Sequence, residues 1–218
     1  MDRDTAITLI KARMKRAGDT NLDELIVAEM QLVQSTDLEG GPNLPWFLLS
    51  ENLSAATTAD EERVHVPINV EFTGNDFIRE FEEGALWLYN NDEGKYELLP
   101  KDDYDIILAK YPGGGKPKKY SLNGDYFRFR PLPDVAYTLR MKCYLRDRTL
   151  STNIENDWLK WAPDLMIAKV GAKIARYHLR DEKVADMLDN EATTAASRLL
   201  VQDTARKQAN LELTMGDL

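Results

Sequence analysis

The chain has 218 residues, a net charge of −9, 43% hydrophobic residues and one cysteine. This length suffices for one sizeable domain or for a domain with an added helical layer. The single Cys143 excludes a disulfide framework and a cysteine-based zinc site, so we expect folding in a reducing cytoplasm. No apolar run approaches the roughly 18 residues of a membrane span, and the acidic composition disfavours unspecific DNA binding by the whole surface. We therefore expect no membrane contact.

Charge is distributed unevenly along the middle of the chain. Residues 51–105 contain 15 acidic side chains against 4 basic ones, whereas residues 118–148 contain 8 basic against 3 acidic ones. Ordinary solvated faces produce such a pattern, and so do opposite faces that meet in an assembly. Both interpretations stay open at the level of the sequence.

The chain begins with two predicted helices. Apolar residues recur at helical spacing over residues 6–14, basic residues follow, and Gly18 ends the pattern. Thr20 or Asn21 then caps a second helix, whose apolar residues recur over residues 22–33. The two helices form a predicted hairpin.

A β-rich region follows from about residue 44, where turn residues become frequent and apolar residues gather in short runs. These runs predict strands at Trp46 to Leu49, Arg63 to Pro67, Ala85 to Tyr89 and Lys95 to Leu99. A proline followed by acidic residues then predicts the start of a short helix over about residues 101–110.

The clearest strand signal lies in residues 126–130 and 136–146, where apolar and polar residues alternate. A period of two places alternate side chains on opposite faces of a strand. The predicted buried face carries Phe127, Phe129, Leu139, Met141 and Cys143. If the two strands pair, one solvent face carries the basic residues Arg128, Arg130, Arg140, Lys142 and Arg146.

Helical periodicity returns at residue 156 and continues to the end of the chain. The first apolar stripe contains the candidate core residues Trp158, Trp161, Leu165 and Ala172. A last helix starts at Asp181, and its stripe fades beyond about Gln208, so we expect this end either to be mobile or to become ordered on a partner. The candidate docking residues there are Gln202, Arg206, Leu211 and Leu213.

These elements predict an α+β fold. Residues 1–43 and 151–218 form a helical bundle with two N-terminal and two C-terminal helices, and residues 44–150 form an inserted antiparallel β-domain with one short helix.

Residues suited to catalysis are scarce. The two histidines lie in periodic segments where packing explains them, and the Gly-rich segment before Lys116 lacks the spacing of a phosphate-binding loop. Asp102, Asp103 and Asp105 could hold a divalent cation, although a helix start explains the first two. We predict no catalytic, cofactor or metal residue. A structural or interaction protein is favoured over a metal-dependent hydrolase, and a cytosolic protein-binding module also fits.

A resemblance narrows these choices. The stretch YSLNGDYFRFRPLPD at residues 120–134, the alternating strand after it, Trp158-Leu159 and the segment Ala162 to Leu165 resemble the head-to-tail adaptor proteins of tailed bacteriophages. The resemblance covers roughly residues 64–188, and the related tail tubular proteins of short-tailed phages are an alternative. The segment between residues 52 and 63 has no counterpart in the pattern.

The resemblance implies a non-enzymatic virion protein without cofactors, made in the host cytoplasm. It implies a homo-oligomeric ring of twelve subunits in the neck, with the portal protein above and a tail or nozzle protein below. Genomic DNA would pass through the lumen without specific binding, which an acidic lumen favours because phosphate neutralisation causes tight unspecific binding.

Overall fold

The computed structural model describes residues 1–41, 43–65, 77–80, 84–90, 93–124, 126–147, 150 and 156–216. Within these ranges the side chains of residues 51–53, 77, 79, 80 and 207–216 are not described. The chain divides into a helical unit, Met1–Leu48 with Asp147–Leu218, and a β-unit, Leu49–Arg146.

The helical unit contains elements from both ends of the chain. Its helices are α1 (Arg3–Arg13), α2 (Asp23–Leu32), α4 (Asp157–Trp161), α5 (Pro163–Lys173) and α6 (Glu182–Gly216), numbered with α3 of the β-unit. Helix α2 continues as a π-helix over Val33–Leu38, α5 continues as a π-helix over Ile174–Leu179, and short 3₁₀ turns span Thr20–Leu22 and Trp46–Leu48.

Side chains cap these helices where the sequence supplies short polar residues. The backbone N–H of Thr5 donates to the Asp2 carboxylate at 2.7 Å, and that of Leu159 donates to the Asn156 side chain at 3.1 Å. Pro163 is the first residue of α5, a position where its missing N–H is not needed. These caps supply partners for backbone donors that have none within the helix.

Helix α5 is the central helix of this unit. Its buried residues occupy most of its circumference, apart from the face of Lys169 and Lys173, and they are Leu165, Met166, Ile167, Ala168, Val170, Gly171 and Ala172. At Gly171 an added Cβ would lie 3.0 Å from Leu188 Cδ1 and 4.0 Å from Ile10 Cγ2. The absence of a side chain at this position therefore lets α6 and α1 approach α5 closely.

A buried polar network joins three segments of the helical unit. Glu39 is 4% exposed, and its Oε1 accepts hydrogen bonds from Gln34 Nε2 at 2.9 Å, the Asp147 backbone N–H at 3.2 Å and Trp158 Nε1 at 3.2 Å. Asn156 Nδ2 donates to Gln34 Oε1 at 3.1 Å. The network fixes Asp147, where the chain re-enters this unit, to the end of the N-terminal helices.

The β-unit contains two antiparallel sheets. Its strands are β1 (Leu49–Ala56), β2 (Arg63–His65), β3 (Phe77–Glu80), β4 (Leu86–Asn90), β5 (Lys95–Leu98), β6 (Lys119–Asn123), β7 (Tyr126–Arg130) and β8 (Thr138–Leu145), with helix α3 (Tyr104–Lys110) between β5 and β6. The first sheet has the order β1-β8-β4-β5, and β3 also pairs with β8. The second sheet has the order β2-β7-β6.

Both sheets contribute to one hydrophobic core. Leu86, Leu88, Leu139 and Met141 of the first sheet cluster with Tyr120, Phe127 and Phe129 of the second and with Leu99. Burial raises the pKa of the Tyr120 hydroxyl to about 12 and that of the Cys143 thiol to about 12. Both groups are therefore neutral at physiological pH, and Cys143 is no candidate nucleophile.

The predicted α+β class is confirmed. The strand predicted at Trp46 to Leu49 is wrong, because residues 46–48 form a 3₁₀ turn and a strand starts only at Leu49. The predicted pairing of the two alternating strands is also not observed: in the described part of the chain, β7 and β8 belong to different sheets. Residues 66–67 of another predicted strand lie outside the described residues.

Candidate interaction surfaces

The proposed basic face divides between the two sheets. Arg128 and Arg130 lie on β7, whereas Arg140 and Lys142 lie on β8 and Arg146 follows it. A single solvent face with all five bases, as expected from pairing of the two strands, is therefore not observed.

Arg130 does not lie on a solvent face, because its side chain is only 9% exposed. Arg130 Nη2 donates to Glu62 Oε2 at 2.7 Å, and Arg128 Nη1 lies 3.6 Å from Glu62 Oε1. The Arg128 guanidinium also lies 4.6 Å from the ring centre of Tyr104. Since β2 brings the preceding Glu62 beside β7, one carboxylate contacts both bases within the same subunit.

The remaining predicted bases are accessible. Arg140 and Arg146 are exposed and Lys142 is half-buried. The Arg140 guanidinium lies 6.0 Å from the ring centre of Tyr96, which is 40% exposed. Leu98 on the same strand as Tyr96 is 53% exposed, so this part of the first sheet offers apolar area together with a positive charge.

The candidate core residues occupy buried positions with one exception. Phe127, Phe129, Leu139, Met141, Cys143, Trp158, Leu165 and Ala172 are each at most 4% exposed. Trp161, in contrast, is 41% exposed. Helix α4 ends at Trp161 and Pro163 starts a new helix, so the helical stripe that predicted burial is interrupted at this residue.

The exposed Trp161 belongs to an aromatic cluster in the helical unit. Its ring centre lies 4.9 Å from that of Trp46, in an edge-to-face arrangement. The guanidinium of Arg206 lies 3.8 Å from the ring centre of Trp46 and 5.5 Å from that of Trp161. One turn earlier on α6, Asp203 Oδ1 accepts a hydrogen bond from the Trp46 backbone N–H at 2.7 Å.

The sequence predicts Arg206 as a docking residue but does not predict its partners. Trp46 gave no spacing signal, because it precedes a strand with no periodic pattern. Asp203 could have been found: it follows Leu188, Ala192 and Leu199 at stripe positions of α6, and an acid in an apolar stripe indicates a buried partner. Asp203 is indeed only 7% exposed.

A cleft of about 550 Å³ lies beside this cluster in the helical unit. Its apolar wall includes Leu38, Leu44, Trp158, Leu165 and Leu199, and its polar wall includes Asp37, Lys169, Asp189 and Asp203. Burial raises the pKa of Asp37, but hydrogen bonds from Thr36 and Lys173 and the nearby charges of Lys173 and Lys169 outweigh it, and the net pKa is lowered. The carboxylates of the cleft wall thus have partners within the subunit.

The second half of α6 is largely uncovered. From Thr193 to Arg206, Asp203 is the one buried side chain among those described, whereas Leu200 is 52% and Val201 70% exposed. The predicted docking residue Gln202 is exposed, and so is Arg206. The side chains of Leu211 and Leu213 lie outside the described residues, although the helix backbone continues to Gly216.

The acidic residues considered for a metal have structural roles. Asp102 accepts a hydrogen bond from Lys119, which lowers the pKa of its carboxyl group, and Asp103 caps α3 through the Asp105 backbone N–H at 2.9 Å. Within the described ranges, no group of three or more His, Cys, Asp or Glu side chains could hold a metal ion. A search of the helices in the same ranges found none long and apolar enough to cross a membrane.

A comparison with protein families assigns the chain. The family model described as SU10 adaptor protein matches residues 4–214, which is nearly the whole sequence. The chain belongs to the SU10 adaptor family. This membership agrees with the resemblance to phage head-to-tail adaptors, and it makes the protein a phage adaptor. A search of curated proteins gives no match.

Family membership supports a structural component of the virion. SU10 adaptors are phage adaptor proteins, and such proteins are in general not enzymes. The match extends to residue 214, so it includes the uncovered second half of α6.

Proposed function

We propose that this protein joins the phage head to the tail as a ring of identical subunits beneath the portal protein. Its place is the neck of the virion, where a tail or nozzle protein attaches on the other side. DNA passes through the lumen of the ring, and the net charge of −9 disfavours tight retention of its phosphates.

The uncovered second half of α6 carries this proposal. In this helix of 35 residues the described buried side chains almost all precede residue 193, so residues 193–206 gain little from burial against their own subunit. Isolated helical segments are marginal in water, and most helical stability comes from packing of an apolar face. Exposed Leu200 and Val201 therefore favour a partner protein that covers this helix, and in the proposed assembly that partner is the portal.

Contacts between subunits would use exposed bases of the β-unit. Arg140 and Arg146 are accessible, whereas Arg128 and Arg130 already contact Glu62 in their own subunit. Charge complementarity between neighbours supplies register and fast encounter more than affinity. The proposed contact therefore involves Arg140 and Arg146 against the acidic region of residues 51–105 in the next subunit.

The test combines purified portal rings of the same phage with the full chain, followed by native mass measurement and electron microscopy. We expect a ring of adaptor subunits, twelve in number, at one end of the portal. The double variant Leu200→Ser/Val201→Ser should dock more weakly, since it removes the exposed apolar side chains of the uncovered half of α6 without shortening the helix. Absence of any ring with the full chain would refute the proposal, and full-strength docking of the double variant would refute the role of α6.

A further inference from the structure

Arg206 is held in an unusual position for a charged side chain on an exposed helix. Its guanidinium lies against Trp46 and near Trp161 at the distances of cation–π contacts. Within the described part of the chain, no carboxylate or carbonyl oxygen accepts a hydrogen bond from Arg206, and no ion pair involves it. The side chain is thus oriented by two rings while its N–H donors stay available.

The backbone around this arginine is fixed as well. Asp203, three residues earlier on α6, accepts the Trp46 backbone N–H at 2.7 Å and is almost completely buried. Two successive contacts, at residues 203 and 206, therefore attach the same face of α6 to Trp46. A guanidinium held in this way loses little conformational entropy when it binds a ligand.

The N–H donors of the Arg206 guanidinium favour an anionic ligand with paired oxygen atoms. A guanidinium presents its N–H groups in a planar fork that matches the oxygens of a carboxylate or a phosphate, and a carboxylate is the matching group on the protein proposed to cover α6. A second base lies at the cluster, with Lys160 Nζ 5.4 Å from the Trp161 ring centre, while the nearby Asp203 carboxylate already accepts the Trp46 backbone N–H. Exposed tryptophan next to arginine is also the composition that dominates binding energy at protein interfaces.

We infer that Trp46, Trp161 and Arg206 form a receptor for a carboxylate of an acidic segment on the protein that covers α6. This inference rests on the proposed function, in which that protein is the portal. The carboxylate binds the Arg206 fork, and the exposed part of Trp161 packs against the adjoining residues of the partner.

The experiment measures docking of the full chain to portal rings for four proteins. Arg206→Ala removes the fork, Arg206→Lys keeps the charge but not the planar donor pair, and Arg198→Ala removes another exposed arginine of α6 that has no ion pair among the described residues. We expect docking about tenfold to a hundredfold weaker for Arg206→Ala, a loss nearly as large for Arg206→Lys, and a change below about twofold for Arg198→Ala.

A second measurement follows the tryptophan fluorescence of the full chain during titration with hexaglutamate and, separately, with inorganic phosphate. A saturable change with hexaglutamate that disappears in Arg206→Ala supports a carboxylate receptor. A change with phosphate alone would overturn it in favour of a phosphate ligand, such as the DNA backbone.

The outcomes separate the inference from the proposed function. Wild-type rings on the portal together with normal docking of both Arg206 variants would overturn the inference and leave the proposed function intact. If wild-type protein does not dock, the proposed function fails, and the fluorescence titration with hexaglutamate then tests the inference. No change in tryptophan fluorescence would overturn it. A purely structural role of Arg206 would lower the melting temperature of Arg206→Ala while docking below that temperature stayed normal, which also overturns it.

Discussion

The substitution Glu39→Ala tests the buried polar network of the helical unit. Glu39 Oε1 accepts hydrogen bonds from Gln34, from the backbone at Asp147 and from the Trp158 indole, and the residue is 4% exposed. Alanine removes the Oε1 acceptor, so the Gln34 amide, the Asp147 backbone N–H and the Trp158 indole N–H each lose this hydrogen bond. Two of the donors, the Asp147 backbone and the Trp158 indole, lie 108 and 119 residues from Glu39 in the chain, so the loss weakens the contact between the N-terminal and C-terminal parts of this unit.

The magnitude follows from the donors left behind. A buried donor without an acceptor costs about 1–3 kcal/mol, and bonds to a charged acceptor lie at the upper end of this range. Because the donors share one oxygen and water can enter the space, the losses do not add fully, and we expect about 3–5 kcal/mol of lost unfolding free energy. Glu39→Gln keeps an acceptor oxygen and should cost less.

The assay is urea unfolding followed by tryptophan fluorescence in a Trp87→Phe background. Trp46, Trp158 and Trp161 belong to the helical unit, so this background reports that unit alone. The matched control is Glu191→Ala, which removes an exposed carboxylate 3.0 Å from Arg13 and should cost about 0–1 kcal/mol. If Glu39→Ala costs no more than this control, the hydrogen bonds to Glu39 do not stabilise the unit as expected.

Three further predictions concern other parts of the molecule. Gly84→Ala should lower the unfolding free energy by about 1–2 kcal/mol, because Gly84 has a φ of +83° and an added Cβ would lie 2.9 Å from Leu98 Cδ1. Gly18→Ala is the control: an added Cβ there would have no atom within 4 Å, so this variant should not be destabilised in the same thermal melt. The lowered pKa of Asp37 means that its ionised form stabilises the fold above the unfolded value of 3.8, and this stabilisation is lost as the pH falls through the lower folded pKa. Unfolding free energies measured from pH 6 to pH 2 should therefore fall less steeply for Asp37→Asn than for the wild type, and equal slopes would contradict this. Native protein should leave Cys143 unreactive toward a thiol reagent and expose one thiol on unfolding, because the residue is 1% exposed and burial raises its pKa to about 12; rapid labelling of folded protein would contradict the burial.

Strand β7 shows what periodicity predicts and what it does not. The alternation in residues 126–130 predicts a strand with Phe127 and Phe129 inward, and the structure has this strand with both side chains buried. The same pattern contains no information on the neighbouring strands. Pairing with β2 and β6, not with β8, depends on the path of the intervening chain, which local alternation does not describe.

Strand β1 was not predicted for a related reason. Its sequence, LSENLSAA, has no regular alternation of apolar and polar residues. The strand forms because it pairs with β8, with Leu53 opposite Met141 and Ala55 opposite Leu139. Tertiary pairing here outweighs a weak local preference, as is common for strands.

For the candidate surfaces too, the local structure can be predicted from the sequence, but the contacts between distant segments cannot. Helical and strand character in strongly periodic segments, and with it the α+β class, can be predicted from the sequence because it depends on residues a few positions apart, and the family resemblance depends on the order of short motifs along the chain. The contacts of Glu62 with Arg130, 68 residues away, and of Asp203 with Trp46, 157 residues away, are defined only in the folded chain. Such contacts arise when distant segments are packed together, and they determine which charges remain available for a partner.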